Sequence, residues 1–281
     1  MRNKNKTVLL LLLLCGLLAA GCGKEDSGDS SEGASVENED VKVVSQSDEA
    51  EDADADLKAE QETVEEEPQK KGILIALDPG HQGWNVDMSA PEANAPGSDV
   101  MKARATSGTS GRFSGIPEYQ LNLDISLLVR DRLIEQGYDV IMTREDNETA
   151  ISNAERAMLA NEAGADISVR IHANGSENSS ANGALVLVAS AQNPYVGGLY
   201  DSSYRLGELV LNAYCDATGM QNLGIQTNDT MTGINWSQIP VIILEMGFMT
   251  NEQDDLNMAD AEYRMRMVDG IVNGINVYYG Y

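Results

Sequence analysis

The sequence predicts an α/β fold: a single domain over residues 72–281, with a largely parallel twisted sheet flanked by helices. Three observations carry this. From Gly72 onward, short apolar runs alternate with longer stretches of helical periodicity. One run, "PVIILE" (Pro240–Glu245), is continuously apolar, as expected of a strand buried on both faces. Strands separated by helices imply crossover connections and parallel pairing. No internal repeat and no second folded module interrupts the pattern.

The elements follow in order. "ILIALD" (Ile73–Asp78) is apolar and ends at Pro79-Gly80, which marks a strand and its stop. After a long Gly-, Ser-, Ala- and Pro-rich stretch, "EYQLNLDISLLVRDRLIEQG" places Leu121, Ile125, Leu128, Val129 and Leu133 at helical spacing, and Gly137 ends the helix. "YDVIMT" is the next strand. Ser152 with Glu155 forms a capping-box pattern that opens a helix to about Ala163. "ADISVRIHA" and "GALVLVAS" are strands, Tyr204 to about Thr218 is a helix, and "PVIILE" is the last strand. Met258 to Tyr279 reads as a closing helix with Tyr263, Met267, Ile271 and Ile275 on one face.

What precedes residue 72 is different material. Residues 1–22 begin with Arg2, Lys4 and Lys6, continue through a short apolar run and end in small residues before Cys22. That run is short for a membrane span and has the form of a secretory signal. "AAGC" (Ala19–Cys22) resembles a bacterial lipobox, although leucine is more usual where Ala19 stands. The resemblance implies lipidation of Cys22, a membrane anchor, and a location on the outer face of a bacterial cytoplasmic membrane. Residues 23–71 are acidic, lack aromatics and carry too little apolar surface to offset the entropy of folding, so a disordered tether is expected. As a flexible coil it would span roughly 40 Å.

The chain of 281 residues carries a net charge of −26. This acidity argues against nucleic acid or an anionic membrane surface as partner. Of its three cysteines, Cys15 lies in the signal core and Cys22 is the lipidation candidate. Cys215 stands alone in the folded part, so no intrachain disulfide is expected there.

In open α/β sheets, ligands bind beyond the carboxyl ends of the strands. Both histidines of the chain are placed there: His81 follows the first strand and His172 ends "ISVRIH". Two histidines and a carboxylate are a common donor set for catalytic zinc. Glu118, at a helix start after Pro117, and Glu245, closing an apolar strand where an unpaired charge is costly, are the carboxylate candidates. Residue types alone do not separate ligand from base.

Four blocks carry a family resemblance: "ALDPGHQG", "PEYQLNLDISLLVRDRLIEQGYDVIMTRE", "ERAMLANEAGADISVRIHANG" and "IPVIILEMGFMTNEQDDLNM". In this order the chain resembles the zinc-dependent N-acetylmuramoyl-L-alanine amidases of the bacterial autolysin type, the amidase 3 family. The resemblance implies one zinc ion per chain held by His81, Glu118 and His172, with Glu245 as the catalytic carboxylate. It implies peptidoglycan as substrate, cut at the amide between N-acetylmuramic acid and L-alanine of the stem peptide. Asn174 and the main chain near Gly175 are weaker candidates for substrate contacts.

There are two departures. Arg170 stands where the family commonly has serine. By strand alternation it faces the side of His172, where it could pair with Glu245, bind a substrate carboxylate or neutralise a neighbouring acid. The stretch between His81 and Glu118 is also long, and a loop of this length is expected to wall or cover the site. Two rival readings stay open: a zinc peptidase cutting another wall amide, and a catalytically inactive wall-binding or regulatory lipoprotein. The sequence says nothing about oligomeric state.

Overall fold

A computed structural model describes residues 69–281. The expected export signal, Cys22 and nearly all of the acidic segment lie outside the described residues. Among the described residues no helix is long and apolar enough to cross a membrane.

Among the described residues, six strands form one sheet. They are β1 (Leu74–Pro79), β4 (Asp139–Met142), β5 (Ile167–Asn174), β6 (Ala184–Val188), β7 (Asn222–Thr227) and β8 (Val241–Phe248), in the order β4-β1-β5-β8-β6-β7. All neighbouring pairs are parallel except β6 with β8. A separate antiparallel hairpin, β2 (Pro91–Ala93) and β3 (Met101–Ala103), lies within the long stretch between His81 and Glu118.

The sheet is covered on both faces, and strand alternation decides which residue meets which layer. From β1, Ile75 and Leu77 join a large core with α1 (Glu118–Glu135), α3 (Tyr200–Thr218) and α6 (Ala261–Tyr279). Ala76 faces the other way, against Ala160 of α2 (Asn153–Glu162). From β5, Val169 and Ile171 enter the large core, so Arg170 and His172 face the α2 side. In α1 the buried stripe is Leu121, Ile125, Val129 and Leu133, each four residues apart. Ile125 is fully buried, and truncating such a side chain to alanine costs about 2–5 kcal/mol. Leu128, expected on this face, is instead partly exposed.

Local signals account for several boundaries. Ser152 Oγ accepts from Glu155 N, and the Glu155 carboxylate accepts from Ser152 N, which completes the capping box of α2. The closing helix is two helices, α5 (Glu252–Ala259) and α6, broken at Asp260. Asp260 is extended, and its side chain caps α6 by accepting from Tyr263 N. α3 begins at Tyr200, one turn before the expected start.

The chain enters the domain at Lys71. Its N–H donates to the Gly137 carbonyl at 2.8 Å, and its ammonium sits 3.9 Å from the Tyr138 ring centre and 4.0 Å from that of Tyr281. This is the end of the sheet where β1 and β4 begin.

Candidate active site

β1 stops at Pro79, and the next two residues build the first side of the site. A Cβ at Gly80 would overlap the His172 ring, so only glycine allows β1 to pass so close to β5. His81 then takes φ 62°, an unusual conformation for a residue with a side chain, costing of order 1–3 kcal/mol. Three buried side chains hold it there. Arg144 donates to the carbonyls of Pro79, Gly80 and Tyr119, and Arg156 donates to those of Pro79 and His81. Asn122 Nδ2 donates to the Gly80 carbonyl at 3.2 Å.

His81 Nδ1 lies 3.0 Å from both the carbonyl and the hydroxyl of Thr106, in the long stretch after β3. Facing a carbonyl, this nitrogen carries the proton, so the lone pair is on Nε2. Glu118, the first residue of α1, is buried. Its Oε2 accepts from Thr109 N at 2.9 Å, while Oε1 lies 3.0 Å from His81 Nε2 and 3.3 Å from His172 Nδ1. His81, Glu118 and His172 bring one donor atom each within 4.8 Å of one another.

Electrostatics favour a cation at this point. Burial acts to raise the Glu118 carboxyl, but the close approach of the His172 and His81 rings outweighs it and holds the group well below the usual carboxylate range. Burial pushes His172 down to about 4, so the ring is neutral at physiological pH and can offer a lone pair. Its Nδ1 faces Glu118, while Nε2 lies buried against Gly80 with no hydrogen-bond partner among the described residues. Two imidazoles and one carboxylate, converging from three elements, fit a divalent metal with nitrogen and oxygen preference.

Glu245 stands directly beside His172 in the register of β8 against β5. Burial, with the nearby Glu118 carboxylate, pushes its carboxyl up to about 8. It lines both cavities that open at the trio. One, of about 470 Å³, extends towards Arg170 and the β2–β3 hairpin. The other, of about 550 Å³, is an open cleft past Asn174, Arg112 and Thr250. Asn174 therefore reaches the cleft, with its side-chain oxygen accepting from Gly175 N.

Arg170 does not pair with Glu245. It is the register neighbour of Asp78 on β1, and its Nε lies 2.9 Å from Asp78 Oδ2. The same carboxylate accepts from Arg156 Nη1 at 2.7 Å and from the Thr143 hydroxyl at 2.6 Å. Burial would raise Asp78, but Arg170 and Arg156 hold it far below the ordinary range. Of the three roles open to Arg170, neutralising a neighbouring acid is thus satisfied. Sequence reasoning missed Asp78, Arg144, Arg156 and Thr106, whose partners are far away along the chain.

Comparison with known proteins adds an independent line. Residues 75–277 match the family model Amidase_3, described as N-acetylmuramoyl-L-alanine amidase. The N-acetylmuramoyl-L-alanine amidase Rv3717 of Mycobacterium tuberculosis is 28% identical over 207 residues, covering 73% of this chain and 85% of that protein. Protein YqiI of Bacillus subtilis is 32% identical over 166 residues, 59% of this chain and 76% of that one. Among solved structures, the apo form of the N-acetylmuramyl-L-alanine amidase Ami1 from Mycobacterium abscessus superposes with a TM-score of 0.68 at 28% identity, covering 74% of this chain and 99% of that one.

Proposed function

The chain belongs to the Amidase_3 family of N-acetylmuramoyl-L-alanine amidases, and from that premise we propose that it is a zinc hydrolase cutting the amide between N-acetylmuramic acid and L-alanine in peptidoglycan. The observation that carries the reading is the convergence of His81, Glu118 and His172 beside Glu245, at the carboxyl ends of β1, β5 and β8. His81, Glu118 and His172 would hold one zinc ion, which when bound polarises the scissile carbonyl and acidifies water.

The rest of the mechanism belongs to the chain's own residues. Thr106 fixes the His81 tautomer, and the Thr109 amide orients the Glu118 carboxylate. Glu245 accepts a proton from the attacking water at a carboxylate oxygen and delivers it to the departing alanine nitrogen. A raised proton affinity suits a group that both takes and returns a proton near neutrality. The strand register keeps Glu245 beside His172, so proton transfer occurs next to the ligand trio.

Residues 72–281 form the catalytic domain in this reading, residues 23–71 a tether, and Cys22 the lipid-anchored end, which puts the enzyme on the outer face of the membrane and facing the wall. The test is digestion of purified peptidoglycan by the full chain with mass spectrometry of the products. Free stem peptides beginning with alanine are expected; glycan fragments with intact stems would refute it.

A further inference from the structure

The cavity on the hairpin side of the ligand trio has a charge pattern that metal binding does not explain. At its floor is Arg170, only 4% exposed. A buried guanidinium is costly unless its donors are matched. Here they are matched only in part. Nη2 donates to Asn153 Oδ1 at 2.7 Å, while Nε, although 2.9 Å from Asp78 Oδ2, makes no aligned hydrogen bond. Asp78 is also shared with Arg156, so one carboxylate serves two buried cations. Glu92 is the other acid in electrostatic reach of Arg170, and it is turned towards Ala154 N at the start of α2.

The surrounding chain gives the guanidinium access to the cavity. Gly233, in the short helix α4 (Thr232–Asn235), lies against it, and a side chain there would overlap the guanidinium group. Across the cavity Lys102 of β3 supplies a second cation, with its ammonium also bonded to the Thr230 carbonyl. Met231, Ile243 and Ala105 give the walls an apolar lining. Such a pocket, largely apolar with a few convergent charged groups, is the ordinary form of a specificity site.

We propose that this cavity is a subsite for a carboxylate on the peptide part of the substrate, held by Arg170 with Lys102 at the rim. The proposal rests on the amidase reading and adds to it a substrate class: acidic stem peptides. Reach supports it. Arg170 and His172 are two residues apart on β5, roughly 7 Å along the strand. That length matches about two residues of extended peptide, and so carries from the scissile amide to a carboxylate on the following residue. The hairpin is then a specificity wall, because it contributes Lys102.

The test uses the zinc-supplied full chain and two substrates: N-acetylmuramoyl-L-alanyl-γ-D-glutamyl-L-lysine and the same compound with the glutamyl α-carboxylate converted to carboxamide. The free tripeptides are also titrated by calorimetry. A charged hydrogen-bonded contact should favour the carboxylate roughly 10- to 100-fold in kcat/KM, with the same order in binding. Lys102→Met should reduce the ratio several-fold, and Arg170→Gln should bring it close to one. Should Arg170→Gln fail to fold, the wild-type ratio and Lys102→Met decide. Equal hydrolysis and equal binding of the two forms overturn the subsite while leaving the amidase intact. If neither is hydrolysed but the carboxylate tripeptide binds tighter, the activity falls and the subsite stands. No hydrolysis and no binding preference overturn both.

Discussion

Asp78→Asn tests the buried charge cluster beneath the site. The carboxylate is 2% exposed and lies 2.7 Å from Arg156 and 2.9 Å from Arg170, themselves 1% and 4% exposed. Asparagine keeps the shape and can still accept from Thr143, but its amide nitrogen would face one of the two guanidinium groups, donor against donor. Breaking a buried pair from one side costs about 3–5 kcal/mol. With two cations left behind, a loss of about 4 kcal/mol is expected, a large share of the roughly 5–15 kcal/mol that holds a domain folded. In a domain of this size it corresponds to a fall in Tm of roughly 8–16 °C.

The assay is urea unfolding of the full chain with chelator present, so that metal linkage does not enter the comparison. The pH dependence supplies a second check. Asp78 is more acidic folded than unfolded, so its contribution is complete above the unfolded pKa, about 3.9, and declines as pH falls towards the lower folded value. The gap between wild type and variant should therefore be constant near neutrality and shrink below about pH 4. A loss under about 1 kcal/mol at pH 7, or a gap that widens in acid, would refute the reasoning.

Three further outcomes are expected. Glu245→Gln should keep its zinc by metal analysis while losing roughly 10²- to 10⁴-fold in turnover, whereas Glu118→Gln should lose zinc first and regain part of its activity in excess zinc; the reverse pattern would exchange the two roles. Gly80→Ala should weaken zinc retention because the new methyl overlaps the His172 ring, with equilibrium dialysis as the readout and unchanged retention as the contrary result. Cys22→Ala should release the protein from the membrane fraction, and persistence there after salt washing would mean that the apolar run itself is the anchor.

The sheet and the meeting of the four candidate residues were legible because each leaves a short-range mark. An apolar run, a stop at Pro79-Gly80 and a histidine just beyond it are local signals, and the ends of parallel strands converge by topology. The β2–β3 hairpin left none: its strands have three residues each and no alternating pattern. β7 carries Gly224 with φ 79° and is largely exposed at the sheet edge, so its run of side chains does not read as half-buried. The break between α5 and α6 did have a signal, Asp260 ahead of an apolar-periodic stretch, hidden by the helical residues on both sides. The cluster of Asp78, Arg144 and Arg156 was unreadable for another reason. A buried ion pair is defined by where distant strands and helices meet, and the sequence shows each member only as a charge at the end of an element.

The entry of the chain at Lys71 has a mechanical consequence. Residues 69–71 reach the domain where β1 and β4 begin, while His81 lies beyond the opposite end of β1, roughly 20 Å away along six residues of strand. Tension applied through the preceding segment is delivered first to Lys71, held by the Gly137 carbonyl and clasped between Tyr138 and Tyr281. From there it passes along β1, whose hydrogen bonds to β4 and β5 on either side lie across the pull and share the load in shear. A pull on this end loads the start of β1 first, and His81, beyond the far end of that strand, is the last of its neighbours to feel the strain.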